Sequence, residues 1–225
     1  MIYKKGMRGN AVKRIQELLG VEADGNFGEI TRNAVMAFQR EHGLKVDGIV
    51  GDKTLAKLEE VCGVVTKDGT AEVRRSKRTI NEIIVHCSAT MEGVDYTVAD
   101  ITKWHLARKF KTIGYHYVVY RDGSIHNGRN VDMAGEHAKG HNANSIGICY
   151  IGGLDAHGKA KDTRTNAQKA ALEILLRRLR TFYPKARILG HRDTSPDING
   201  NGVVERWEWL KECPCFDAVK EYKNI

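Results

Sequence analysis

One eight-residue pattern, Asp-Gly-x-x-Gly-x-x-Thr, occurs twice near the start of this chain: Asp24-Gly25-Asn26-Phe27-Gly28-Glu29-Ile30-Thr31 is echoed 23 residues later by Asp47-Gly48-Ile49-Val50-Gly51-Asp52-Lys53-Thr54. A repeat so short and so close prescribes one small unit that uses the same turn twice. In each copy the Asp-Gly pair supplies a tight turn, the second glycine permits close backbone approach, and the threonine falls in the first turn of a helix. Apolar residues sit at helical spacing around these turns, at Val12, Ile15, Leu18 and Leu19, then Ala34, Val35 and Phe38, then Leu55 and Leu58. Each set makes one buried face. Residues 1–62 are therefore read as a small all-α domain of three helices.

From Gly63 to Arg78 periodicity lapses, and the charges of Lys67-Asp68-Gly69-Thr70 and Arg74-Arg75-Ser76-Lys77-Arg78 mark a linker with a solvated, flexible basic run. Residues 79–225 then alternate strand and helix signals, an α/β pattern. Tyr117-Val118-Val119-Tyr120 and Ile146-Gly147-Ile148-Cys149-Tyr150-Ile151 read as central strands, with a hairpin-like turn at Arg121-Asp122-Gly123-Ser124. Thr97 with Asp100, and Thr165 with Gln168, have capping-box spacing. The first helix is expected to run to about Phe110, with Ile101, Trp104 and Leu106 as apolar surface. The second carries Ala171, Leu172, Leu175, Leu176 and Leu179 and stops before Pro184.

Composition narrows the setting more than the chemistry. A net charge of +8 suits nucleic acid, anionic lipid or an anionic cell wall, and no nucleic-acid motif is present. No apolar run approaches the ~20 residues of a membrane span, and Met1-Ile2-Tyr3-Lys4-Lys5-Gly6 does not lead into a signal-peptide core. Five cysteines without framework spacing suit a reducing cytosol. The expectation is a monomer that is cytoplasmic on synthesis.

Three residues carry zinc-ligand chemistry. His86 ends the apolar run Ile83-Ile84-Val85, His191 follows Ile188-Leu189-Gly190, and Cys213 lies in Lys211-Glu212-Cys213-Pro214-Cys215-Phe216-Asp217. Two imidazoles and a thiolate fill three corners of a tetrahedron, and the open fourth corner is what a catalytic site needs. On residue type alone Cys215, one proline away, competes with Cys213. Cys87 and Cys149, in strand-like runs, read as reduced core thiols.

The segments Ile84-Val85-His86-Cys87-Ser88-Ala89-Thr90, Gly114-Tyr115-His116-Tyr117, Arg121-Asp122-Gly123 and His137-Ala138-Lys139-Gly140-His141-Asn142 carry a resemblance. Asn144-Ser145-Ile146-Gly147-Ile148, Gly190-His191-Arg192-Asp193 and the 211–217 segment complete it. In order and spacing, residues 79 to 222 resemble the amidase-type phage lysozymes and, more distantly, the peptidoglycan recognition proteins. Residues 4 to 60, with Gly9, Val12, Ile15-Gln16, Ala34-Val35 and Phe38-Gln39, resemble the peptidoglycan-binding domain found beside wall hydrolases.

The resemblance implies a mixed central sheet flanked by helices, zinc on His86, His191 and Cys213 in preference to Cys215, and catalytic roles for Tyr115 and Lys211. His137, Lys139, Asn142 and Asn144 are then expected on loops bordering a groove, where polar groups could hold a peptide stem. The implied activity is hydrolysis of the amide between N-acetylmuramic acid and L-alanine in peptidoglycan, with a phage endolysin as the implied setting. Two other readings stay open: a non-catalytic peptidoglycan recognition protein, and a zinc peptidase acting within the stem.

His191 and Cys213 are 22 residues apart, a wider interval than in the compact phage enzymes. Within it, residues 197–208 fit the twelve-residue calcium-loop pattern. Asp197, Asn199 and Asn201 offer side-chain oxygens, Val203 its carbonyl and Glu208 a bidentate carboxylate, while Gly202 takes the sharp turn. Calcium would stiffen the segment that carries Lys211 and Cys213. The rival is a metal-free Asn-Gly turn followed by a helix from about Glu205.

Overall fold

A computed structural model describes residues 2–61 and 71–225. The chain divides into two compact units, residues 1–65 and 66–225. The first contains α1 (Asn10–Leu19), α2 (Glu29–Glu41) and α3 (Asp52–Val61). Its core is Val12, Ile15, Leu18, Val35, Phe38 and Leu58, joined by Phe27 and Val50, one from each copy of the repeated turn. The repeat has a physical basis that its apolar pattern does not disclose. The side-chain amide of Gln16 donates to Asp24, the Asn26 carbonyl and Thr31, while its oxygen accepts from Gly25 N–H. Gln39 does the same 23 residues on, donating to Asp47, the Ile49 carbonyl and Thr54 and accepting from Asp47 and Gly48 N–H. Each buried glutamine thus satisfies the polar groups of one turn.

The second unit is built on a five-stranded sheet. Its strands are β1 (Glu82–Cys87), β3 (Tyr117–Val119), β4 (Ile125–Asn127), β5 (Ser145–Tyr150) and β7 (Arg187–Gly190), in the order β4-β3-β5-β1-β7. β1 runs parallel to both β5 and β7, β3 parallel to β5, and only β4 is antiparallel, so the sheet is mixed. A short parallel pair, β2 (Thr90–Met91) with β6 (Gly153–Leu154), stands apart from it. The helices α4 (Val98–Ala107) and α5 (Asn166–Phe182) begin at reciprocal capping boxes on Thr97 and Thr165, as their spacing predicts. A four-residue α6 (Ala218–Glu221) ends the order. No helix among the described residues is long and apolar enough to cross a membrane.

The basic run at 74–78 differs from its reading as a solvated linker. Arg78 donates to the carbonyls of Val131, Asn142, Ala143 and Ser145. Ser76 is buried, its N–H on the Tyr183 hydroxyl and its own hydroxyl on the Val131 carbonyl. Arg74 pairs with Asp132 at 3.0 Å. Guanidinium groups can be buried when carbonyls take up their several donors. Residues 63–70 of the expected linker lie outside the described residues.

Candidate active site

Sheet register assembles the metal-type ligands. Val85 on β1 lies opposite Gly190, the last residue of β7, so the residues that follow them, His86 and His191, emerge at the same sheet end. That end carries the carboxyl termini of the four parallel strands, the place where open α/β sheets bind ligands. Cys213 arrives from the following loop, fixed by the Arg192 N–H on its carbonyl at 2.7 Å and by the Cys87 N–H on its sulfur at 3.2 Å. Pro214 packs so closely on Gly190 that a Cβ there would lie 2.5 Å from its Cδ. The Tyr150 hydroxyl holds the Pro214 carbonyl at 2.7 Å.

One ligand atom each from His86, His191 and Cys213 lie within 4.8 Å of one another. His86 is fully buried, and its Nδ1 has no hydrogen-bond partner. A buried nitrogen left unsatisfied beside a second imidazole and a thiol fits a metal ligand better than a packing group. Burial holds His86 well below the usual imidazole range, with the neighbouring histidines adding to the effect. His191 is lowered to about 4 by burial and then by the charge of Lys211. Both rings are therefore neutral at pH 7, the form that ligates. Cys215, the competitor on residue type, points elsewhere, its sulfur donating to the Gly153 carbonyl and lying 3.7 Å from the sulfur of Cys87.

A cleft of about 250 Å³ opens beside the trio, and Tyr115 and Lys211 both line it. The Tyr115 ring lies 5.1 Å from that of His86, and burial raises its phenol well above the usual range. Lys211 is exposed at the cleft. The wall contributed by α4 and the loop after it adds Trp104, His105, Arg108 and Phe110. The sequence reading assigned these no role in the site. The only available signal was an amphipathic helix whose outer face carries a tryptophan.

The four residues expected to border the groove separate. Only His137 lines the cleft, and it does so as a buried ring, hydrogen-bonded to His86 Nε2 at 3.0 Å. Asn142 turns its side-chain oxygen inward to accept from the N–H groups of His137 and Ala138. Asn144 donates to the Thr79 carbonyl, and Lys139 is exposed away from the cleft lining. The side chains of Asn142 and Asn144 thus hold the backbone of this segment and of Thr79.

In the 197–208 loop, Asp197 accepts from Gly200 and Gly202, Asn199 from Asn201, and Asn201 from Val203, a ladder of turns. The buried Glu208 carboxylate accepts from Ile198, Asn199 and Glu205 N–H. A 3-10 turn at Arg206–Glu208 stands where the metal-free reading expected a helix. Among the described residues His86, His191 and Cys213 are the only group of three or more His, Cys, Asp or Glu ligand atoms.

Comparison with known proteins agrees with this geometry. Residues 76–208 match the family profile described as N-acetylmuramoyl-L-alanine amidase, and residues 8–58 match that of a peptidoglycan binding domain. The chain is 39% identical over 138 residues to the endolysin of Enterobacteria phage K11, spanning 61% of this chain and 91% of that protein. It is 55% identical over 97 residues to an uncharacterized protein of Haemophilus influenzae, spanning 43% and 84% respectively. Among solved structures it shares the fold of the N-acetylmuramoyl-L-alanine amidase LysC from Clostridium intestinale. That match has a TM-score of 0.50 and 24% identity, and covers 68% of this chain and 91% of that one.

Proposed function

The chain belongs to the N-acetylmuramoyl-L-alanine amidase family, and from that membership we propose a zinc-dependent peptidoglycan amidase that serves as a phage endolysin, reaching the wall after release from the cytoplasm. Zinc would be held by His86, His191 and Cys213, and the observation that carries this is the unsatisfied, buried Nδ1 of His86 in a residue clustered with a second imidazole and a thiol. When bound, the metal supplies a Lewis acid that polarises the scissile carbonyl and lowers the pKa of water. Lys211 places an ammonium at the cleft, where negative charge develops on the carbonyl oxygen during attack. Tyr115 stays protonated because its phenol is desolvated, so it donates a hydrogen bond and orients rather than removing a proton.

The test is digestion of purified peptidoglycan by zinc-loaded protein, with released ends identified by mass spectrometry. Free L-alanine amino termini with intact glycan, lost in Cys213→Ala, are the expected result. New ends inside the stem would make the protein a peptidase, and wall pelleting without cleavage would make it a recognition protein.

Calcium on the 197–208 loop is a second proposal, supported by the full pattern and by the turn ladder through Asp197, Asn199 and Asn201. Calorimetry on zinc-loaded protein should show calcium uptake that Asp197→Ala abolishes. Absence of heat would leave the loop as a turn closed by its own hydrogen bonds.

A further inference from the structure

We propose that His137 is a positioning residue that fixes the tautomer of His86, through a hydrogen-bonded chain running from His86 Nε2 to His137 Nδ1 and from His137 Nε2 to the Ser145 hydroxyl. The two contacts measure 3.0 Å and 3.3 Å. Two neutral imidazoles share a hydrogen bond only when one donates and the other accepts, which leaves two arrangements. If His137 Nδ1 carried the proton, His86 would hold its own on Nδ1, a buried donor with no acceptor and therefore a costly one. If His86 Nε2 carries it, Nδ1 becomes a bare lone pair, free for the cluster His86 forms with His191 and Cys213, and His137 keeps its proton on Nε2 for Ser145. The second arrangement gives both ring N–H groups an acceptor and leaves the one free ring nitrogen in the form a metal needs.

The surroundings of His137 are built to hold that ring. A Cβ on Gly147, in β5, or on Gly135 would overlap it, so both positions are cleared of side chain where the imidazole passes. Asn142 clamps the backbone on either side of the ring by accepting from the N–H groups of His137 and Ala138. Ser145 is fully buried at the start of β5. The ring is thus oriented from two sides and from its own main chain. A groove residue that reaches for substrate needs none of this.

The inference rests on the zinc reading of the trio, and its test separates the two. Long-range proton–nitrogen spectra of metal-free protein should show His86 and His137 each protonated on Nε2, a signature that needs no metal. Zinc affinity, read by chelator competition, should fall on the order of 10- to 100-fold in His137→Phe, the usual cost of losing an outer hydrogen-bond partner. His137→Asn, whose side-chain oxygen falls near the Nδ1 position, should recover most of that loss. If His137→Phe does not fold, Ser145→Ala serves in its place and should weaken zinc binding in the same direction. A proton on His86 Nδ1, or a folded His137→Phe that binds zinc as tightly as the wild type, would overturn the proposal. A wild type that shows the expected tautomers but takes up no zinc would uphold the hydrogen-bonded chain and overturn the zinc reading.

Discussion

Tyr115 can give a hydrogen bond in the cleft but cannot accept a proton, because its desolvated phenol is held well above the ordinary range. Tyr115→Phe removes only the hydroxyl, so kcat on peptidoglycan should fall by about 10²-fold while zinc affinity stays at the wild-type value. Steady-state kinetics beside a zinc titration would separate these. His116 makes a different kind of demand. Its Nδ1 accepts from Gly147 N–H at 2.9 Å and its Nε2 lies 3.1 Å from the Met133 carbonyl, so the ring has room for one proton, on Nε2. Burial, the largest cause, lowers it to about 4, with Arg78 and Arg129 adding their charge. Between pH 6.5 and 4 the unfolded chain therefore binds a proton that the folded chain refuses. Stability from this ring is present above the unfolded value and is lost as pH falls through that window, by about 3 kcal/mol in all. Urea midpoints of chelator-treated protein at pH 7, 5.5 and 4 should drop in turn, and less steeply in His116→Asn.

At the scale of elements, the repeated turn of the first unit depends on a residue outside itself. Gln39→Leu keeps the volume but strands the N–H groups of Asp47 and Gly48 and the Ile49 carbonyl. A loss of about 3 kcal/mol is expected in chemical denaturation followed by a probe in the first unit. The apolar faces of α1 to α3 and the turn itself could be read from spacing, whereas the two glutamines could not, because polarity eight residues from its partner looks like solvent exposure. The same division runs through the site. His86 and His191 were legible because each follows an apolar run, and adjacent parallel strands bring the ends of such runs together without further instruction. His137 does border the cleft from a loop, but its contact with His86 could not be read, because it depends on how β1 and β5 pair and on the space left at Gly135 and Gly147. Arg108 and Phe110 escaped notice for a similar reason, since only the tertiary position of α4 brings them to the cleft. Arg74 to Arg78 misled in the opposite direction, since five polar residues in a row carry no sign that four carbonyls await one of them.

The whole molecule joins a peptidoglycan-binding unit to an amidase unit, and such a link raises the concentration of enzyme at an insoluble polymer without changing its chemistry. Protein lacking residues 1–70 should retain kcat/KM on soluble muropeptides and clear sedimented wall at least about 10-fold more slowly. Where that shortened protein starts matters because of Ser76 and Arg78. Composition places the opening of the catalytic unit at residue 79, after the basic run, yet the Arg78 side chain closes the wall around His116 and the Ser76 N–H fastens the end of α5 through the Tyr183 hydroxyl. A gene trimmed at residue 79 would encode an enzyme with one side of its shell missing. The shortest useful reading frame begins eight codons upstream, at Ala71, whose N–H already holds the Ile125 carbonyl at 3.2 Å.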